Sequence, residues 1–279
     1  MWPGPASFLK RLLGIHHQSG VKPLASMRAV GWRRHSYWVP EGLLGPESIC
    51  YCIGAGEDIS FDVELQALYG CRVVIFDPTP YGIDHFAELE RHVAAGEPFR
   101  TKAIQHPYTY QVSAEQLARI RFVPVGVWDE KTVLTFRDPQ QHDYASYSAC
   151  LFEDSAKTIE APVDRLGNLM KSLDHRAVDL VKIEIEGAEY RVIDAILEDR
   201  LDIKAILVEF DEVYHPKSRA FHFRIRRTCA RLRKAGYVLV HSTPNLKRTF
   251  VREDVYRELK ARDGRPPREA TRLLAAARD

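Results

Sequence analysis

The strongest constraint on the fold is a set of five short apolar runs: Ile49 to Ile53, Arg72 to Phe76, Arg121 to Val125, Leu180 to Ile185 and Ala205 to Phe210. Each is too short for a buried helix, and helical patterns lie between several of them. Fully apolar strands alternating with helices predict a parallel sheet covered on both faces. Phe61 to Tyr69 and Glu189 to Glu198 are the clearest intervening helices, the second placing Val192, Ile193, Ile196 and Leu197 on one face. Beyond the fifth run, Phe221, Ile225, Cys229 and Leu232 recur at helical spacing up to Gly236. Tyr237 to His241 and Arg248 to Val251 then read as a strand hairpin across a segment containing Pro244 and Asn245. The expected fold is α/β, a doubly wound and mostly parallel sheet with a C-terminal antiparallel hairpin. The division expected is an N-terminal extension over 1–47, the α/β domain over 48–251 and a charged tail over 252–279.

The first run leads directly into Gly54-Ala-Gly56-Glu57-Asp58. Glycines after a strand and before a helix allow a tight turn and close approach of a ligand. Asp77 stands 21 positions after Gly56, at the end of the next strand and ahead of Pro78. A carboxylate in that position can accept hydrogen bonds from ribose hydroxyls. The dinucleotide pattern would require a third glycine where Ile59 stands, and Glu57 and Asp58 would repel a pyrophosphate at the helix start. Acids there suit a sulfonium ligand bearing an ammonium group, so S-adenosyl-L-methionine is favoured over a nicotinamide dinucleotide.

A second unusual segment is Asp179-Leu-Val-Lys182-Ile-Glu184-Ile-Glu186-Gly187-Ala-Glu189. Charged residues alternate with apolar ones in what should be a central strand, and ligands of open α/β sheets lie beyond the carboxyl ends of such strands. Glu184 and Glu186 are therefore site candidates. A purely structural arrangement, with Lys182 paired to Glu184 and Glu186 or Glu189 at a helix start, accounts for the same residues. The third run continues to Gly126, Val127 and Trp128; read as one strand, it offers Val127 and Trp128 as a wall for adenine or as packing.

These blocks together resemble the FkbM family of S-adenosylmethionine-dependent methyltransferases, on IGAGEDISFDVEL at Ile53–Leu65, FDPTP at Phe76–Pro80 and DLVKIEIEGAEYRVI at Asp179–Ile193. The resemblance implies a class I, Rossmann-like methyltransferase fold and methyl transfer to an acceptor, commonly a hydroxyl on a sugar or a small metabolite. It places Gly54 and Gly56 beneath the methionine moiety, Asp77 on the ribose, and Glu57, Asp58 and Pro78 in the same pocket. Val208-Glu209-Phe210-Asp211 carries Asp211 where many relatives have histidine. A base assisting transfer to a hydroxyl must take its proton. The candidates are Glu186, His215 and Asp211, the last two having solvated-loop readings as well.

Carboxylates of Glu184, Glu186 or Asp211 are chemically suited to a divalent metal, but no spacing demands one. With 40 basic and 38 acidic residues, the overall charge gives no reason to expect nucleic acid. Lys217, Arg219, Arg224, Arg226, Arg227, Arg231, Arg233 and Lys234 form a local excess, either a solvated helix face or a polyanion contact. A methyltransferase-fold protein that binds a polyanionic partner, and a non-catalytic cofactor-binding scaffold, are the alternative functions. The acceptor partner expected is a small molecule or glycan, and the oligomeric state is open. Five cysteines without metal-binding spacing suggest reduced thiols. No run reaches the roughly 18 apolar residues of a transmembrane segment, so a cytoplasmic location is expected. The short stripe of Phe8, Leu9, Leu12 and Leu13 reads as a docking helix or a surface contact.

Overall fold

The computed structural model describes residues 19–32, 36–101, 108–138, 147–150, 157–213, 220–244 and 247–263. The 8–13 stripe, His215, Lys217, Arg219, Asn245 and the tail beyond Asp263 lie outside the described residues.

A hairpin of β1 (Met27–Val30) and β2 (Tyr37–Pro40) precedes the first core strand, β3 (Ile49–Ile53). Helix α1 (Ser60–Tyr69), strand β4 (Arg72–Phe76), helix α2 (Pro80–Ala95), the short helix α3 (Ala114–Leu117) and strand β5 (Ile120–Val123) follow. Three strands, β6 (Gly126–Trp128), β7 (Thr132–Arg137) and β8 (Thr158–Arg165), form a separate sheet. Helix α4 (Leu166–Ser172), strand β9 (Ala177–Ile183), helix α5 (Glu189–Glu198) and strand β10 (Asp202–Val208) resume the alternation. The described chain closes with helix α6 (Phe221–Lys234), strands β11 (Tyr237–Ser242) and β12 (Arg248–Arg252), and helix α7 (Glu253–Asp263).

The main sheet has seven strands in the order β11-β12-β10-β9-β3-β4-β5. All neighbouring pairs from β10 to β5 are parallel, while β12 runs antiparallel to both β10 and β11. Order reverses between β3 and β9, so the carboxyl ends of these two strands open a crevice at the topological switch point.

Residue alternation assigns the two faces. Cys50, Cys52, Val73, Ile75 and Leu180 belong to one core, and Tyr51, Ile53, Val74, Phe76, Val181 and Ile183 to the other. The described parts of both terminal segments add to the first core: Leu24, Val30, Tyr37 and Val39 from the start, Val255 and Leu259 from α7. Ala25 N–H donates to the Asp263 carboxylate at 2.7 Å, tying the two ends together.

Helix starts and stops follow local chemistry. Thr79 caps α2 by accepting from Gly82 N–H, Pro80 occupies the first turn, and Gly96 closes the helix with φ of 70°. The expected single strand from Arg121 through Trp128 is corrected. Strand β5 stops at Val123, ahead of Pro124, and Gly126–Trp128 turns away to pair with Val163–Arg165 in the smaller sheet. Proline cannot donate to a ladder, so the break falls where the chemistry requires it.

Candidate active site at the carboxyl ends of the central strands

Gly54 and Gly56 follow β3 with φ of 91° and 52°. A Cβ on Gly54 would stand 1.8 Å from the backbone oxygen of Glu184, so glycine is demanded by the close approach of β3 and β9. Lys182 Nζ donates to Gly54 O at 3.0 Å and joins the two strand ends from the side.

Asp77 leaves β4 beneath this turn and is buried. Its Oδ2 accepts from Ala55 N–H at 2.8 Å and Gly56 N–H at 2.9 Å. Oδ1 accepts from Thr79 N–H at 2.8 Å and Thr79 Oγ1 at 2.6 Å. The carboxylate thus pins the glycine turn to the start of α2; a ribose hydroxyl would share or replace those donors. Asp58 Oδ1 accepts from Ser60 N–H at 2.8 Å at the start of α1. Glu57 is part-buried on the same turn. Pro78 lies against Gly126, where a Cβ would meet its ring at 3.1 Å.

Beyond β9 the backbone is strained. Glu186 has φ of 50° and Gly187 φ of 95°. A non-glycine residue in the left-handed region costs on the order of 1–2 kcal/mol and is retained where surrounding contacts enforce it. Four contacts do so. Glu189 accepts from Ile185 N–H at 3.3 Å and Gly187 N–H at 2.9 Å, while Asp211 Oδ2 accepts from Glu186 N–H at 3.0 Å. Ser148 Oγ donates to Glu186 O at 2.6 Å.

The surrounding charges are paired in depth. Lys182, buried, lies 2.9 Å from Glu184 Oε2, and Lys247 lies 2.9 Å from Glu209 Oε2 with both side chains buried. Burial acts to lower the Lys182 pKa, but Glu184, Asp62 and Cys52 outweigh it and raise the group above its ordinary range. Tyr37 lies between the lysines, 4.3 Å from Lys247 Nζ and 5.9 Å from Lys182 Nζ at its ring centroid. Burial first, then Glu184, Glu209 and Asp211, push its phenol well up, so it stays un-ionised. Burial raises Glu189 to about 7, and burial together with Glu189 and Glu186 raises Asp211 well above the carboxylate range.

The structure therefore brings Gly54, Gly56, Glu57, Asp58, Asp77, Pro78, Glu184 and Glu186 to one edge of the sheet. The solvated-loop reading of Asp211 is corrected: the side chain is buried and bonded to the Glu186 backbone. Trp128 packs against Val163 and Ala188, and Arg191 covers its ring at 5.3 Å; Val127 is inside the second core. Both side chains are packed against protein in this arrangement, which follows from the turn of the chain at Pro124. Of the basic stretch, Arg224 is paired with Glu212 and Arg231 with Asp194.

Sequence reasoning passed over Thr79, Gly82, Ser148, Tyr37, Glu209 and Lys247. Thr79 carried a readable signal, a threonine directly before proline at a helix start. Tyr37 and Lys247 come from distant hairpins and had no local signal. Among the described residues no group of three or more His, Cys, Asp or Glu is arranged to hold a metal ion, and no helix is long and apolar enough to cross a membrane.

The donor set at the glycine turn is acidic, which fits a cationic sulfonium and ammonium ligand and disfavours a phosphate. No curated protein matches the chain. Solved structures that match in part include a precorrin-6y C5,15-methyltransferase from Geobacter metallireducens GS-15, at 13% identity and TM-score 0.35, covering 75% of this chain and 79% of that one. A fibrillarin pre-rRNA processing protein from Methanococcus jannaschii matches at 8% identity and TM-score 0.39, covering 83% and 85%. Aeropyrum pernix fibrillarin, solved with S-adenosyl-L-methionine, matches at 9% identity and TM-score 0.38, covering 82% and 83%. The model of the methyltransferase FkbM domain matches residues 49–239, from the first core strand into β11, and the chain belongs to the FkbM methyltransferase family.

Proposed function

We propose that the protein transfers a methyl group from S-adenosyl-L-methionine to a hydroxyl of a glycan or small-molecule acceptor. The observation that carries this reading is that the strained turn at Glu186 and the glycine turn stand at the carboxyl ends of the adjacent strands β9 and β3, with Asp77 fastened to the glycine turn. Gly54 and Gly56 would carry the methionine portion of the cofactor. Glu57, Asp58 and Glu184 supply negative charge to its cationic groups, and Asp77 with Pro78 borders the ribose. When bound, the cofactor supplies an electrophilic methyl carbon on a positively charged sulfur.

The protein's own part is alignment and proton removal. An in-line displacement is accelerated chiefly by fixing the acceptor oxygen against the methyl carbon. Glu186, held on this turn, would take the hydroxyl proton as the oxygen–carbon bond forms and the sulfur–carbon bond breaks, its electron pair left on the cofactor's sulfur. Asp211 and the ion pair of buried Lys182 with part-exposed Glu184 hold that turn and the glycine turn in place rather than touching the acceptor.

Calorimetric titration with S-adenosyl-L-methionine and with NAD tests the cofactor, and radiolabelled methyl transfer to a panel of sugars and hydroxylated metabolites tests the chemistry. Selective binding of the sulfonium compound is expected. Glu186→Gln should keep that binding and lose transfer by about a hundredfold or more. Binding of NAD alone refutes the proposal; cofactor binding with no transfer to any class of acceptor favours the scaffold alternative.

A further inference from the structure

The Ile185–Gly187 turn is held by two acids, Glu189 and Asp211, with which no cation among the described residues forms a salt bridge. Lys182 is taken by Glu184, and Lys247 by Glu209. Glu189 is fully buried; its Oε1 accepts two backbone N–H groups, and its Oε2 has no donor among the described residues. The neighbouring side chain is the carboxyl of Asp211, also buried, whose Oδ2 accepts Glu186 N–H. Two carboxylates in contact can form a hydrogen bond only if one keeps its proton, and leaving both ionised in a buried site is costly.

We propose that Glu189 and Asp211 share one proton as a carboxyl pair, and that this pair is the positioning device that keeps the Glu186 turn in its left-handed course. Each acid uses one oxygen on the turn's backbone, at Gly187 and Ile185 from α5 and at Glu186 from the end of β10. The shared proton closes the ring between them and satisfies Glu189 Oε2.

The groups facing the pair are unfavourable to a second negative charge. Asp211 feels Glu189, Glu186, Glu209 and Glu184, and Tyr37 opposite is a neutral phenol. Among the described residues, the neighbouring lysines Lys182 and Lys247 are each bonded to another acid. Ser148 holds the turn from the third side through Glu186 O and does not titrate. The pair titrates in two steps: both carboxyls are protonated at low pH, one proton is shared once Glu189 has titrated, and the shared proton is lost only as pH rises through the step of Asp211, which burial and the Glu189 charge hold well above the carboxylate range. The turn then loses one of its two acid clamps to repulsion.

The value of the turn for catalysis rests on the reading of Glu186 given above, whereas the pairing is tested without cofactor or acceptor, so either can fail alone. Backbone hydrogen exchange at Glu186 and Gly187 is measured from pH 5.5 to 10, with rates normalised to those of an unstructured peptide. In the native protein, protection should hold through the step of Glu189 and fall about tenfold across the later step that removes the shared proton, the loss of one charge-assisted hydrogen bond. Glu189→Gln and Asp211→Asn each supply a permanent N–H donor in place of the shared proton, so both should keep high protection at every pH. Glu189→Ala should lack it throughout. Flat protection in the native protein, or a glutamine variant as unprotected as the alanine variant, overturns the proposal. If the alanine variant does not fold, the contrast between the native pH profile and the two amide variants decides.

Discussion

Replacing Gly82 by alanine sets two effects of opposite sign against each other. Gly82 is a buried residue in the first turn of α2, with ordinary helical backbone. Intrinsic propensity favours alanine over glycine in a helix by about 1 kcal/mol. The added methyl, however, would stand 2.7 Å from Asp77 Cγ and 2.9 Å from its Oδ2. That carboxylate is bonded to Ala55, Gly56 and twice to Thr79, so it has no alternative rotamer that keeps its partners. Overpacking of a tight site costs roughly 1–3 kcal/mol, and each charge-assisted bond weakened adds about 1.5 kcal/mol. The net expectation is destabilisation by about 1–3 kcal/mol, with loss of S-adenosyl-L-methionine affinity as the glycine turn loosens. Urea unfolding followed by tryptophan fluorescence reads the first effect as a lower midpoint at unchanged slope. Gly45→Ala is the control, since nothing lies within 4 Å of its added methyl. A Gly82→Ala protein as stable as the native one, or more so, would refute the assignment of Gly82 as space for Asp77.

Three further substitutions separate packing, strain and charge. Glu186→Gly should be more stable than Glu186→Ala by about 1 kcal/mol in the same urea assay, because only glycine adopts a φ of 50° without cost; equal stability denies the strain. Lys182→Met leaves Gly54 O and Glu184 without their lysine and should cost about 2–3 kcal/mol, moderated by the partial exposure of Glu184. The Lys204–Asp179 pair, with an exposed lysine and an Asp179 that keeps the Ile49 N–H as a donor, is the comparison, and Lys204→Met should cost under about 1 kcal/mol. Trp128→Ala should destabilise by roughly 3–5 kcal/mol yet leave cofactor affinity of the folded protein nearly unchanged; a large affinity loss would place the ring on the ligand.

What could be read in the chain was whatever is local. The strands β3, β4, β9 and β10 announce themselves as apolar runs, and α5 was bounded correctly because its apolar stripe stops where the pattern stops. The glycine turn and Asp77 were legible as neighbours because a strand-ending glycine turn and an acid at the end of the next strand come together in a parallel sheet. Asp77 is richer in the structure than in the sequence: its four protein hydrogen bonds involve residues before and after it, and no periodicity encodes that. The strand expected through Trp128 failed because apolar continuity was weighed above Pro124. The burial of Asp211 was invisible, since it depends on β10 lying beside β9 and on Tyr37 closing over both from the N-terminal hairpin.

The same electrostatic arrangement makes a statement about cofactor binding that needs no acceptor. With Lys182 and Lys247 already bonded to Glu184 and Glu209, the Glu189–Asp211 pair retains a proton that a nearby positive charge would disfavour. Glu189 is raised to about 7, so near neutral pH its proton is only partly bound. A cationic sulfonium ligand entering the crevice lowers the pair's affinity for that proton, and binding therefore releases a fraction of one proton per ligand near pH 7. The release should vanish well below the step of Glu189, where both carboxyls keep their protons, and fall again just above it, where Glu189 has already lost its own and Asp211 keeps the shared one. Calorimetry of S-adenosyl-L-methionine binding in buffers of different ionisation enthalpy measures the release directly, and Glu189→Gln should abolish it while keeping the binding. Binding with the same heat in every buffer at pH 7 would mean that the pair and the cofactor do not sense each other, and that the acidic turn is insulated from the cationic centre it is proposed to serve.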